Sequence, residues 1–314
     1  MPKQIREVYG SVLAELGETN ENIVVLDADL SGSTKSAIFG KAHPERFFNM
    51  GIAEQNMVAT AAGMTACGKI PFVNTFTVFL TSLGLLSARD QICYANLNVK
   101  FGGAYCGMSD ALDGASHHAT EDIAFMRALP NMKVIAPADA AAARWATKYA
   151  VENYGPMYIR IPRTNVCDIF DENEDFDFCK ARVIQEGCDV TVITNGETLA
   201  EVIQAAQILE KDGYSIQIIH VPVVKPLDDA TIIEQAKLTK FVITVENHSI
   251  IGGLGSAVCE LLSYYYPMPV IRIGVNDTFG QSGKWDELLD YYGLSADKLS
   301  KNIKKQIDRY RLVK

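Results

Sequence analysis

A single carboxylate interrupts the stretch NMGIAEQNMVATAAGMTACGK (49–69): between Arg46 and Lys69, Glu54 is the one side chain with a formal charge. If a helix starts near Ala53, Glu54 shares a face with Met57, Val58 and Ala61. That face is apolar, so the carboxyl is expected to be buried or to line a closed cavity. Burial shifts a carboxyl pKa upward by as much as several units, whereas the positive end of a helix lowers it by about 1 kcal/mol or less. A buried Glu54 would therefore be suited to exchanging a proton near neutral pH. The local alternative is a weak capping box, Gly51-x-x-Glu54, with the carboxyl turned back onto a backbone N–H.

Other residues also carry possible chemistry, each beside an ordinary structural use. Asp29 ends the run IVVLDAD (23–29), where an aspartate commonly makes an Asx turn. Phe76 and Phe79 suit core packing. His117 and His118 precede a helix start; a histidine near its unperturbed pKa of roughly 6.5 can move protons, but such a pair is commonly exposed loop. Arg163, in IPRTN, offers a guanidinium fork for an anion or for a surface carboxylate. Gly252-Gly253-Leu254-Gly255-Ser256 opens a helix and could bind an anion there. We read it as a tight turn with close packing, and Glu246 and His248 before it as structural.

The elements that position these residues alternate along the chain. IVVLDAD, PFVNTF (71–76), LNVKFGGAY (97–105), MKVIAP (132–137) and MYIRI (157–161) read as buried strands. Helical patterns lie between them near 3–17, 53–66, 83–95, 120–129 and 138–152. Residues 167–187 are acidic and aperiodic, a linker. A second series follows: DVTVITN, a helix from Glu197, SIQIIHV, a short helix near 229–237, FVITVEN, a helix from Leu254, PVIRIGV, and a charged helix from about Ser295. The prediction is an α/β chain of two mostly parallel-sheet domains, 1–166 and 188–314, joined by 167–187.

Composition narrows the function. The 314 residues are 48% hydrophobic and 21% charged, with a net charge of -9. That argues against nucleic acid or a membrane surface as the main partner. Seven scattered cysteines without a C-x-x-C pair, and no apolar leader after Met1-Pro-Lys-Gln, predict reduced thiols and a cytoplasmic location. The uncharged run from Ile70 to Ala88 holds Pro71, Asn74 and Gly84, and reads as strand, loop and core helix rather than a membrane span.

Several motifs resemble one family in the family's own order. RFFNMGIAEQNMVATAAGMTACGKIPFVNTF, the later FL (79–80), RDQI (89–92), LDGASHHATEDIAFMRALPNMKVIAPAD (112–139) and GPMYIRIPR (155–163) resemble the pyrimidine-binding domain of transketolases. DADLSGS (27–33) fits as well. GETLAEV, VPVVKPLD and ENHSIIGGLGS resemble the C-terminal domain of the same family. The resemblance covers nearly the whole chain. It implies thiamine diphosphate as cofactor, acting as electron sink, and transfer of a two-carbon ketol unit from a ketose, expected to be a sugar phosphate, to an aldose.

By position, the resemblance implies that Glu54 hydrogen-bonds N1′ of the aminopyrimidine. It implies that Phe79, with Phe76 beside it, stacks on that ring, and that Asp29 and Leu30 touch the cofactor. Ser33 would contact the sugar phosphate. Asp113 and His117 match the residues that hold substrate hydroxyls, His117 also being able to move protons, and Arg163 matches the clamp on the substrate phosphate. Tyr105 stands where many transketolases have a phosphate-binding histidine, and His118 replaces a common glutamine. These departures bear on the substrate's distal group.

The family's GDG motif for Mg²⁺ and diphosphate is absent. The chain also starts almost at the pyrimidine domain. The resemblance therefore implies the C-terminal (β) subunit of a split transketolase. Mg²⁺ and the diphosphate would be held by an N-terminal companion subunit, this chain would also self-associate, and the working unit would be α2β2. The enzymatic alternatives are a 1-deoxy-D-xylulose-5-phosphate synthase-like chain and a 2-oxo acid dehydrogenase E1 β-like subunit. A non-catalytic remnant is the alternative outside enzymes.

Overall fold

The computed structural model describes residues 3–171 and 177–312. Its first sheet is built from the apolar runs Ile23–Asp27, Ile70–Phe76, Lys100–Ala104, Lys133–Ile135 and Met157–Ile161. These strands are parallel, in the order Lys133–Ile135, Met157–Ile161, Lys100–Ala104, Ile70–Phe76, Ile23–Asp27, and the short strand Phe47–Asn49 completes that edge. Strands covered on both faces can be apolar at every position, which is why they read as continuous runs.

Alternate residues feed two cores. Val24, Leu26, Val73, Phe101 and Tyr158 pack on one face with Met57, Val58 and Ala61 of the helix Glu54–Thr65. Ile23, Val25, Phe72 and Ile159 pack on the other, against Ile5, Tyr9 and Leu13 of the helix Ile5–Thr19 and Ala143 and Ala146 of the helix Ala140–Glu152.

The second sheet runs Val270–Val275, Val242–Ser249, Val190–Thr194, Ile216–His220, Arg182–Gln185, parallel except for the last strand. The α/β expectation of two mostly parallel sheets therefore holds. Residues 172–176 of the expected linker lie outside the described residues. Farther along that span, Arg182–Gln185 is an edge strand, too short and too amphipathic to carry a period.

Other elements went unread. Val223–Lys225 leaves the second half and pairs antiparallel with Lys133–Ile135 at the edge of the first sheet. The Lys225 ammonium fixes this crossing by donating to the carbonyls of Arg127 and Leu129 at 2.8 and 2.5 Å. The helical pattern near 83–95 is a short helix, Leu85–Ser87, running into a π-helical turn, Ala88–Cys93. A further helix spans Trp285–Tyr291. Among the described residues no helix is long and apolar enough to cross a membrane. All seven cysteines are unpaired.

The glycine turn at 252–255 is packing, as expected. The Glu246 carboxylate accepts from the backbone N–H groups of Leu254 and Gly255 at 2.7 and 2.8 Å, closing the start of the helix Leu254–Tyr265. A Cβ at Gly253 would run into that carboxylate.

Candidate active site

Neighbouring strands of the first sheet end side by side at Asp27, Phe76, Ala104 and Ile161. The carboxyl ends of parallel strands are where open α/β sheets collect ligands. All ten residues expected at the site lie at this end of the sheet or in the segments leading from it and onto it.

Glu54 opens the helix Glu54–Thr65 and is 3% exposed, with Met57, Val58 and Ala61 fully buried on its face. The helix has no side-chain cap, so the capping-box alternative fails. Among the described residues the carboxyl has one hydrogen bond, a long 3.5 Å contact from the Thr75 hydroxyl to Oε1. An ionised carboxyl offers roughly four acceptor sites, and a buried one is costly unless they are filled. Glu54 thus has both the seclusion and the free capacity to take a further polar partner.

The strand that carries Thr75 delivers Phe76 next. The Phe76 ring lies against Tyr105 at 4.3 Å between centroids and against Phe79 at 5.9 Å, near-parallel in both cases. Phe79, half-buried, is the most exposed of the three rings and can offer a face to a planar group. His117 meets Phe76 and Phe79 edge-on at 6.1 and 5.6 Å. Leu30 packs on the same cluster.

Tyr105 holds this wall from behind. It is 4% exposed and its φ is +63°, a strained value for a bulky residue. Its backbone N–H donates to the Ile161 carbonyl at 2.7 Å, and its hydroxyl accepts from the Arg6 guanidinium at 2.6 Å. Arg6 also donates to the Ser33 carbonyl at 3.0 Å, so one side chain ties the helix at Ser33 to the aromatic wall. Nothing local in IREVYG marks Arg6; only the fold brings it here.

Arg163 also lies against Tyr105, its guanidinium carbon 5.2 Å from the ring centroid. It donates to the buried Asp110 carboxylate and sits 3.6 Å from Asp113. Burial pushes the Asp110 carboxyl above the usual carboxylate range, against the pull of Arg163 and with Asp113 adding to it. Asp110 Oδ2 has no partner. Asp110 escaped sequence reading, since MSDALD has no pattern that sets one aspartate apart. A cavity of about 460 Å³ opens beside Arg163, lined also by Ser109, Leu112, Asn165, Lys284 and Trp285.

The Asp29 segment is arranged differently from its expected turn. The turn is made by Asp27, whose carboxylate accepts from the Leu30 N–H at 2.6 Å and from the Thr34 and Ser36 hydroxyls at 2.7 Å each. Asp29 is exposed, with φ +65°, and accepts from the Asn49 amide at 2.8 Å. Among the described residues no group of three or more His, Cys, Asp or Glu side chains is placed to hold a metal ion.

Known proteins share the two domains that build this site. Residues 1–168 match the family model for the transketolase pyrimidine-binding domain, and residues 179–299 match that for the transketolase C-terminal domain. A Methanocaldococcus jannaschii chain provisionally named a transketolase C-terminal section is 45% identical over 310 residues, 98% of this chain and 97% of that one. A 6-deoxy-6-sulfo-D-fructose transketolase subunit of Clostridium sp. (strain MSTE9) is 38% identical, over 94% of this chain and 92% of its own. A solved structure described as a split gene transketolase, inactive beta4 tetramer, superposes with a TM-score of 0.88 at 45% identity, over 98% of this chain and 99% of that one. With two domain models in order and relatives matched nearly end to end, the chain belongs to the transketolase family.

Proposed function

We propose that this chain is the C-terminal, β-type subunit of a split transketolase that moves a two-carbon ketol unit from a ketose to an aldose. On this reading residues 1–166 are the pyrimidine-binding domain, 167–187 the linker and 188–314 the C-terminal domain. An N-terminal companion holds Mg²⁺ and the diphosphate. Copies of this chain self-associate, and the enzyme works in the cytoplasm as α2β2.

The observation that carries the reading is Glu54: a carboxyl 3% exposed, with a single 3.5 Å hydrogen bond, which comes from Thr75 on the strand that ends at the aromatic ring of Phe76. Those residues fit the aminopyrimidine half of thiamine diphosphate. When bound, that cofactor supplies the electron sink that lets the ketose carbon–carbon bond break. Glu54 holds and moves the proton at N1′ of the aminopyrimidine. Phe79 stacks on the ring, Phe76 backs Phe79, and Leu30 and Asp29 border it. His117 and Asp113 hold substrate hydroxyls, and His117 can relay a proton among them.

Arg163 holds an anionic distal group on the donor ketose, with the Ser33 segment at its side. Tyr105 serves by holding Arg6 at its hydroxyl and Arg163 near its ring. Because Asp110 and Asp113 already share the Arg163 charge, the distal anion need not be a phosphate. The Clostridium relative, named for a sulfonated sugar, makes sulfonate the second candidate.

The test is reconstitution with a companion subunit that carries a diphosphate-binding domain. Thiamine diphosphate and Mg²⁺ are titrated into this chain alone and into the mixture, and turnover of phosphorylated and sulfonated ketoses is then followed. Tight cofactor binding and ketol transfer only in the mixture are expected. Tight binding or full turnover by this chain alone would overturn the split assignment, and turnover of pyruvate instead of a ketose would overturn the reaction.

A further inference from the structure

The loop that bears Asp113 and His117 is held by the other half of the molecule. The Met108 N–H donates to the Asn247 side chain at 3.1 Å, and the Ser249 N–H donates to the Thr120 carbonyl at 2.6 Å. Those contacts fix the two ends of the loop. Its middle is met by the irregular segment that follows the strand Val270–Val275 and leads to the helix Trp285–Tyr291. The Gly283 N–H donates to the Ala111 carbonyl at 3.0 Å.

Two contacts in this segment leave no room for a methyl group. A Cβ on Gly280 would lie 2.8 Å from Cε1 and 3.0 Å from Cγ of His118, and nearer still to Nδ1. The ring cannot swing away freely. His118 is 4% exposed, and its Nε2–H donates to the Asp110 carbonyl at 3.1 Å, which leaves Nδ1 as the bare nitrogen facing Gly280. Gly114, at φ +76°, would need a Cβ within 3.0 Å of the Ser282 nitrogen and 3.3 Å of its Cα. The Gly114 carbonyl accepts from the N–H groups of both His117 and His118, at 2.9 and 3.0 Å. The backbone of the substrate loop is therefore clasped between its own glycine and this outside segment.

We propose that the segment Gly280–Gly283 of the C-terminal half is a positioning latch for the substrate loop, setting His117 and Asp113 through its contacts with His118 and Gly114. The assignment rests on the functional reading above for what His117 and Asp113 do; the clasp itself does not. Gly280, Ser282 and His118 are positioning residues, not catalytic ones. The C-terminal half thereby acts on substrate binding without touching the cofactor.

Gly280→Ala tests the latch, with Gly280→Ala/His118→Ala as the compensating pair. Hydrogen exchange of residues 107–120 is measured first on this chain alone. Faster exchange confined to that loop in Gly280→Ala, returned toward wild type in the double variant, is expected. Unchanged exchange in Gly280→Ala, or no return in the double variant, overturns the latch whatever the reaction is. In the reconstituted enzyme, with D-fructose 6-phosphate as donor probe, Gly280→Ala should raise KM about tenfold with kcat and thiamine diphosphate affinity near wild type. The double variant should recover most of that loss. An equal loss of cofactor affinity, or a fall in kcat alone, would overturn positioning. If the loop responds as expected but the wild-type complex transfers no ketol unit, the functional reading fails and the clasp stands.

Discussion

Two arginines three residues apart leave the same strand and meet opposite fates. Arg160, within Met157–Ile161, is 2% exposed and grips Asp122, itself 0% exposed, through Nε and Nη2 at 2.7 and 3.1 Å. Its Nη2 also donates to the Asn247 carbonyl at 3.0 Å, and Tyr158 donates to the same aspartate at 2.6 Å. Asn247 in turn donates to Glu197 at 2.6 Å. That cluster is closed, and it stitches the two halves together. Arg163 is 37% exposed, faces a cavity, and pairs with carboxylates of which one oxygen, Asp110 Oδ2, has no partner. Like residues at the end of one strand thus separate into a saturated joint and an open contact. Asp110 and Glu54 keep hydrogen-bonding capacity to spare, whereas both oxygens of Asp122 are filled.

Breaking the closed cluster should give the largest change in stability. Asp122→Ala leaves a buried guanidinium unpaired and should cost about 3–5 kcal/mol. Chemical denaturation would show it as a lower midpoint; a cost below about 1 kcal/mol would mean the joint is not sealed. Arg163→Met should do the reverse. Arg163 is itself 37% exposed, so its loss should cost clearly less than Asp122→Ala, although it leaves the buried Asp110 carboxyl without its cation. Donor KM should rise about 10- to 100-fold through the loss of a charged hydrogen bond. A folding loss as large as that of Asp122→Ala would erase the contrast.

Asp110→Asn is the smallest and sharpest probe. Because burial raises the Asp110 pKa in the folded chain, the fold holds that proton more tightly than the unfolded chain does. Stability should therefore fall as pH rises from the ordinary carboxylate range through the raised value. Asp110→Asn should flatten that part of the profile, measured by thermal melts across the acid range. An unchanged slope would assign the titration to another group.

The same contrast explains what could be read from the sequence. The closed interior was legible because burial on both faces leaves continuous apolar runs such as IVVLD and MYIRI, and because Glu54 stood out as a lone charge on an apolar face. Family-ordered motifs then brought Phe79, Asp113, His117 and Arg163 to one site. The missed parts depend on distant pairings with no local signature. Val223–Lys225 looks like any short apolar run until it crosses to the first sheet. Arg6, Asp110 and Gly280 acquire their contacts only when segments about 50 to 160 residues away fold against them.

Glu54→Gln in the reconstituted complex tests most directly the proposal that Glu54 manages the proton on the cofactor ring. The amide keeps the shape of the side chain but cannot donate or accept that proton in the same way. Single-turnover rates should fall by about two to four powers of ten while the thiamine diphosphate dissociation constant changes far less. Turnover near the wild-type rate with cofactor bound would contradict the account.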